Sequence, residues 1–444
     1  MTDRAVLDQR LEKATPVMKQ FITAKIAHPD ALLFFRMGDF YELFWEDAAT
    51  AARALDLTLT ARNKGSEDEI PMAGVPHHAA SSYIQRLLDQ GFKVAICEQM
   101  ADPSKVKGIV PRAVVRVVTP AITYDDSALD ARKNMYLASI EHAAGVYGIS
   151  AVDASTGELR CCEVDDAANA LAELVRLDPR ELLAGKGAEL LAEQFEAVRP
   201  RAFVQSELTP ISDEEAILLL DATLGQGEAE ANARTAVARA AAARCIGTMK
   251  TCEPGKRIAV SRLISYELGD TLLLDESTQA HLELVRSTDD DAKSSLLAQI
   301  DATTTASGAR LLRRRLLAPL TRVADIRRRL DAVELFVTQP GLRDAVRARL
   351  GRVWDIERLA TKLATERAQP RDLVALRTSL YELGPLAEEL EKSPDRGARE
   401  ALSVSANAPW IDPCADVYET IANGIGDEPP LKATDGNVIR DGHD

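Results

Sequence analysis

The chain has 444 residues, 46% of them apolar and 28% charged, with a formal net charge of −15. That length exceeds what one hydrophobic core serves and predicts about three domains. The acidic balance excludes a uniformly basic nucleic-acid binder while leaving room for a local basic surface. No run of 18 apolar residues offers a membrane span, and Met1-Thr2-Asp3-Arg4 opens no signal-peptide apolar region. Cys97, Cys161, Cys162, Cys245, Cys252 and Cys414 include no C-x-x-C spacing. They read as reduced thiols of a cytoplasmic protein, not as a disulfide or zinc framework.

Leu7 to Ile26 predicts an amphipathic helix. Leu32-Leu33-Phe34-Phe35 predicts a buried strand, broken at Gly38. Helical spacing follows at Phe44, Ala48, Ala51, Ala52 and Leu55, so Asp39 is expected as the N-cap with Glu42 completing a capping box. On that reading Phe40 and Tyr41 fall in the first helical turn, and the corner presents an aromatic ring and a carboxylate. Leu57 to Thr60 reads as a strand, Arg62 to Ser66 as a polar turn, and Pro71 to His78 as a loop punctuated by Pro71, Gly74 and Pro76. Ser82 to Gln90 reads as a helix, and Lys93 to Cys97 and Val114 to Val118 as strands.

A linker is expected from Pro120 to Asn134, with Asp125-Asp126 inside it. Met135 to Ile140, Gly145 to Ala151 and Leu159 to Val164 read as consecutive strands, followed by alanine-rich helix including Ala231 to Ala243. From about residue 270 the pattern is helical: Thr278 to Val285, Gly308 to Leu317, Arg322 to Val337, Val353 to Glu366 and Asp372 to Leu390. Asn437 to Gly442 reads as a strand just begun, as in a chain cut short within a larger architecture. The fold class expected is therefore multidomain, α/β in residues 1–125 and 126–265 and all-helical in 266–444.

Arg36-Met37-Gly38-Asp39-Phe40-Tyr41-Glu42-Leu43-Phe44 and Ile70-Pro71-Met72-Ala73-Gly74-Val75-Pro76-His77-His78 resemble the N-terminus of the MutS family of bacterial DNA mismatch-repair proteins. Ala95 to Gln99, Val115 to Pro120, Gly308 to Arg313, Asp355 to Leu359 and Arg367 to Leu373 fit the same family in the same order. The resemblance implies a mismatch-recognition domain over 1–125, a connector of RNase H-like fold over 126–265, and an incomplete helical lever over 266–444. It also implies mismatched duplex DNA as ligand, a homodimer with MutL as partner, and ATP with Mg²⁺ in the full-length family. No G-x-x-x-x-G-K-[ST] occurs here; Gly185-Lys186 and Gly255-Lys256 lack both the earlier glycine and the following hydroxyl. This chain is expected to be no enzyme, with no catalytic, cofactor or metal residues, in the cytoplasm at the nucleoid.

The resemblance assigns mismatch contact to Phe40 and Glu42. Spacing alone favours Phe40 in the core and Glu42 as a helix cap; the surrounding motifs turn the reading to DNA contact. DNA-backbone contacts are expected from Arg62, Arg112 and Arg116, with Lys64, Lys105 and Lys107 nearby, against the alternative of solvated surface charge. Met72 is placed either beside the ring or in the core, and Tyr41 in a packing role. Residues 301–372 hold 16 Lys+Arg and 9 Asp+Glu, a local +7. The runs Arg313-Arg314-Arg315 and Arg327-Arg328-Arg329 fan around a helix, so solvated surface or domain-interface pairing is expected of them. His77-His78 is expected to be structural. Asp153, at a strand end in Ala151 to Gly157, supports a rival reading as a metal-dependent nuclease. A third reading is a protein-interaction scaffold.

Overall fold

The computed structural model describes residues 4–65, 69–102, 108–123, 129–287, 293–392 and 412–443. Ser66, Lys105, Lys107, Asp125 and Asp126 lie outside the described residues. The N-terminal segment forms two helices, α1 (Arg4–Lys13) and α2 (Pro16–Ala27), where one was expected. Pro16 cannot donate into a continuous helix and takes the first turn of α2 instead.

β1 (Ala31–Met37) and β2 (Phe40–Phe44) follow as an antiparallel hairpin with Met37 opposite Phe40. This corrects the expected strand-to-helix corner. Gly38 takes φ +61°, and Asp39 completes a two-residue turn of the kind that needs glycine first. Asp39 is no N-cap: its backbone carbonyl accepts from the His77 amide at 2.8 Å. The helix starts later, as α3 (Trp45–Leu55). The physical reason lies in β2's neighbours. It is paired to β1 on one edge and to β4 (Ile70–Pro76) on the other, and those two ladders outweigh one local cap of about 1 kcal/mol.

β3 is Thr60–Arg62, so Arg62 lies in a strand and not in the polar turn, and the Pro71 to His78 segment is mostly strand β4. With α4 (Ala80–Leu88), β5 (Lys93–Gln99) and β6 (Arg112–Val118) this completes a six-stranded sheet ordered β3-β4-β2-β1-β5-β6. Only β1–β5 is parallel. Leu32, Phe34, Tyr41, Leu43, Val94 and Ile96 bury against α3 and α4, and Phe35 and Phe44 meet α2 on the opposite face. A buried pair locks α2 to α3: Lys25 Nζ lies 2.9 Å from Asp47, whose other oxygen accepts from the Leu33 amide.

The second sheet uses β7 (Tyr136–Ala143), β8 (Val146–Asp153) and β9 (Glu158–Val164) as an antiparallel meander. α5 (Ala167–Leu177), β10 (Glu181–Gly185), α6 (Glu189–Val198) and β11 (Phe203–Leu208) then add parallel strands on the β7 side. α7 (Asp213–Leu224), α8 (Glu228–Asn232), α9 (Ala236–Cys252) and β12 (Leu263–Ser265) close the unit, in the order β11-β10-β7-β8-β9-β12. The first five strands thus run as an RNase H-like sheet does. The expected helix from Ala231 to Ala243 is broken, since Thr235 caps α9 by accepting from the Ala238 amide. The alanines of α9 let it lie almost against β8: a Cβ on Gly148 would stand 2.4 Å from the Val237 carbonyl. One buried cluster runs from Phe21 and Phe35 through Cys97 to Ala242 and Met249, so the two sheets share a core.

The remainder is helical: α10 (Glu276–His281), α11 (Leu296–Ile300), α12 (Ala306–Leu317), α13 (Val323–Thr338), α14 (Pro340–Leu350), α15 (Ile356–Ala364), α16 (Pro370–Glu391) and α17 (Ala415–Gly424). Asn437 to Gly442 forms no strand, contrary to expectation. It makes one bridge, Ile425 to Ile439, and Arg440 ion-pairs with Asp427 at 2.7 Å. No described helix is long and apolar enough to cross a membrane.

Candidate nucleic-acid interface

Alternation along β2 decides what the hairpin offers. Tyr41 and Leu43 point into the core beneath α3 and α4, and Phe40 and Glu42 point to the opposite face. α2 covers only part of that face, where Phe21 packs edge-on against Phe35 and Phe44 at 5.5 and 5.0 Å. Beyond them Phe40 is left 47% exposed. Across the ladder Phe40 faces Pro76 and Glu42 faces Gly74. A Cβ on Gly74 would lie 3.8 Å from the Phe40 ring and 4.0 Å from the Glu42 side chain, so both stand over this glycine.

The ring and carboxylate are held on a strand bonded along both edges. The Tyr41 hydroxyl donates to Glu98, its ring lies 5.4 Å from that of His77, and the Arg36 guanidinium sits 5.6 Å from the Tyr41 ring. Arg36 also donates to the Gly38 carbonyl and so braces the turn. Tyr41 and His77 therefore serve the packing role expected of them. Met72 packs against the core cluster of Phe44 and Phe35. Arg36, Gly74 and Pro76 had no assigned role from spacing alone; the pairing register brings them to the site.

Burial raises the Glu42 carboxyl above its ordinary value, while Arg62 and Arg112 pull it down. The structure thus gathers Arg62 and Arg112 about Glu42. Arg112 also donates to the Arg36 carbonyl at 2.8 Å and to the Val110 carbonyl at 3.0 Å, and its guanidinium lies 5.1 Å from the Phe35 ring. Much of its capacity is used in tying β6 to β1. Arg116 stands apart, its charge felt by Tyr41 and by Glu253 at the end of α9. Lys64 is exposed in the turn after β3.

The nuclease reading of Asp153 fails on geometry. Asp153 is fully buried and accepts from Asn134 Nδ2, the Met135 amide, and both the amide and hydroxyl of Ser155. Its two oxygens are consumed in shaping a turn. Among the described residues no group of three His, Cys, Asp or Glu could hold a metal ion. The arginines of α12 mostly join units: Arg313 reaches Asp178 at 3.8 Å, Arg314 pairs with Glu158, and Arg310 pairs with Asp355 at 2.7 Å and donates to the Ala131 carbonyl. Domain-interface pairing accounts for these.

Comparison with known proteins agrees with this architecture. Family models match in order: MutS domain I over residues 15–127, MutS domain II over 135–243 and MutS domain III over 277–441. A DNA mismatch repair protein MutS from Sorangium cellulosum is 45% identical over 98% of this chain and 51% of its own length. One from Anaeromyxobacter sp. is 41% identical over 97% and 48%, and one from Myxococcus xanthus 37% over 98% and 49%. The chain spans about half the length of the curated relatives it matches. It belongs to the MutS family of DNA mismatch repair, and the two sheet units and the helical region are that family's domains I, II and III.

Proposed function

We propose that this chain recognises mispaired bases and small unpaired loops in duplex DNA, inserting Phe40 from the minor groove and turning Glu42 toward a base edge. The observation that carries this reading is an aromatic ring left 47% exposed on a doubly paired strand, with a carboxylate beside it on the same face. Opening a base step costs a few kcal/mol, and the cost is smaller where pairing is already faulty. Stacking a base on the ring returns about 1–3 kcal/mol. The difference between the two opening costs is the discrimination, read through deformability and not through sequence. Phe suits the task because its flat ring leaves no polar group unpaired.

Glu42 repels the phosphates of any duplex, and a hydrogen bond to an exposed base edge offsets that repulsion only at a lesion. Arg62 is the best placed of the expected cations to contact the backbone, with Arg112 and Arg116 acting largely through the fold. On this reading the chain is a binding protein and not a hydrolase. ATP with Mg²⁺, self-association and MutL are assigned to the full-length MutS family.

Fluorescence anisotropy with a G·T duplex and its matched control, at one fixed salt concentration, tests the proposal. Tighter binding to G·T is expected; equal affinities overturn it in favour of a scaffold. Glu42→Ala should tighten matched-duplex binding roughly two- to fivefold, the scale of one partly screened charge. The pH dependence has a definite sign. DNA raises the Glu42 pKa further, so matched binding takes up a proton and strengthens as pH falls from 7 toward 5. The variant should lose that part of the rise, and weaker matched binding by the variant would count against repulsion.

A further inference from the structure

A cleft of about 690 Å³ opens between the β9–β12 edge of the second sheet and helices α12 and α13. Seven arginines and two glutamates line it. Four of the arginines are engaged: Arg310 with Asp355 and Glu357, Arg314 with Glu158, Arg176 with Glu173, and Arg160 near Glu158 and 4.5 Å from the Tyr266 ring. The other three, Arg262, Arg315 and Arg329, make no hydrogen bond or ion pair among the described residues. They stand on opposite walls, Arg262 beside β12 and the other two on α12 and α13.

Arg315 and Arg329 also crowd each other. Burial and then the neighbouring Arg329 and Arg314 charges hold the Arg315 guanidinium below its ordinary pKa. Burial does the same to Arg329, with Asp325 opposing. The charges acting on Arg315 are both positive, a crowding that an anion seated in the cleft would relieve. Guanidinium groups match phosphate oxygens through paired N–H donors. The cleft has the volume of small-molecule sites. Leu311 and Ile264 add an apolar portion to its lining.

We infer that this cleft binds a small anion carrying adjacent phosphates, an inorganic polyphosphate or the phosphate tail of a nucleotide, held between Arg262 on one wall and Arg315 and Arg329 on the other. A cleft of about 690 Å³ is much larger than one phosphate, hence adjacent phosphates. Such a ligand would clip domain II to domain III. It involves neither Phe40 nor Glu42, so it stands apart from the DNA reading.

Calorimetric titration of the whole chain with sodium tripolyphosphate tests the inference, with sodium sulfate at equal ionic strength as comparison. One-to-one saturable binding is expected, at least tenfold weaker in Arg315→Gln/Arg329→Gln. The unliganded double variant should melt no lower than the parent, because a like-charge contact has been relieved. Arg343→Gln, an exposed change on α14 outside the cleft lining, should bind as the parent does. If the double variant misfolds, Arg262→Gln alone carries the test and should weaken binding at least threefold. Unchanged affinity in the cleft variants, no binding, or equal binding of sulfate overturns the site. ATP in a parallel titration identifies the source: tighter than tripolyphosphate supports a nucleotide seated on Leu311 and Ile264, and equal or weaker supports an inorganic polyphosphate.

Discussion

Phe40→Ala is expected to erase the preference for a G·T duplex over its matched control. The lost stacking is about 1–3 kcal/mol per base, or roughly 5- to 150-fold in Kd. Because the ring is already 47% exposed, its removal opens no cavity and the melting temperature should stay within about a degree. Phe40→Trp, which keeps a flat aromatic face, should retain part of the preference. Matched-duplex binding, dominated by phosphate contacts, should change little. An unchanged G·T-to-matched ratio in Phe40→Ala removes the wedge assignment, and a large fall in melting temperature would show that the ring supports the fold instead.

The second large effect is expected where the two sheets meet. Lys93, at the start of β5, places Nζ 3.1 Å from Asp30 and 3.5 Å from Glu181, the first residue of β10. Its Nζ also lies 5.4 Å from the Phe203 ring. Glu181 is wholly buried, and Lys93 is the cation that compensates it. Lys93→Met should therefore destabilise the protein by about 3–5 kcal/mol, the cost of leaving a buried charge unpaired. Lys93→Met/Glu181→Leu should recover most of that loss, since the pair costs desolvation that apolar residues do not.

The pH dependence checks the cause. Burial raises the Glu181 pKa even with Lys93 present, and Asp30 adds to the rise while Lys93 and the Thr119 hydroxyl oppose it. A carboxyl whose folded pKa is raised favours the folded state below its unfolded pKa and loses that advantage as pH climbs through the folded pKa. Removing Lys93 lifts the folded pKa further. The variant's deficit should accordingly be smaller at pH 5 than at pH 8, measured by urea unfolding of the first transition. A deficit under about 1 kcal/mol, or one independent of pH, would sink this account.

Part of the fold was legible from pattern because the pattern is local. The meander β7–β9 and the helices α12, α15 and α16 each carry a period that matches their burial, whereas α13 forms as expected but leaves Val323, Leu330, Val333 and Val337 exposed. β2 was misread because Asp39 and Glu42 mimic a capping box over a segment too short for its alternation to register. β10, Glu181–Gly185, has no strand signature of its own; its place between β7 and β11 makes it one. Phe40 and Glu42 could be singled out as a pair on either reading, since two residues apart they share a face of a strand, and the motif around them did the rest.

The sequence by itself determined the division into α/β and helical parts, the family, and the residues on which a DNA-reading role is proposed. Hydrophobic period and short ordered motifs are properties of neighbouring residues. Only the tertiary structure decided that Phe40 stands exposed, that Arg62 and Arg112 but not Arg116 surround Glu42, and that Asp153 is saturated by hydrogen bonds. It also decided which arginines are paired across units and which three make no ion pair among the described residues. Those outcomes depend on strand register and on charges brought together from distant parts of the chain, and no local pattern encodes which partner a buried or crowded charge will meet.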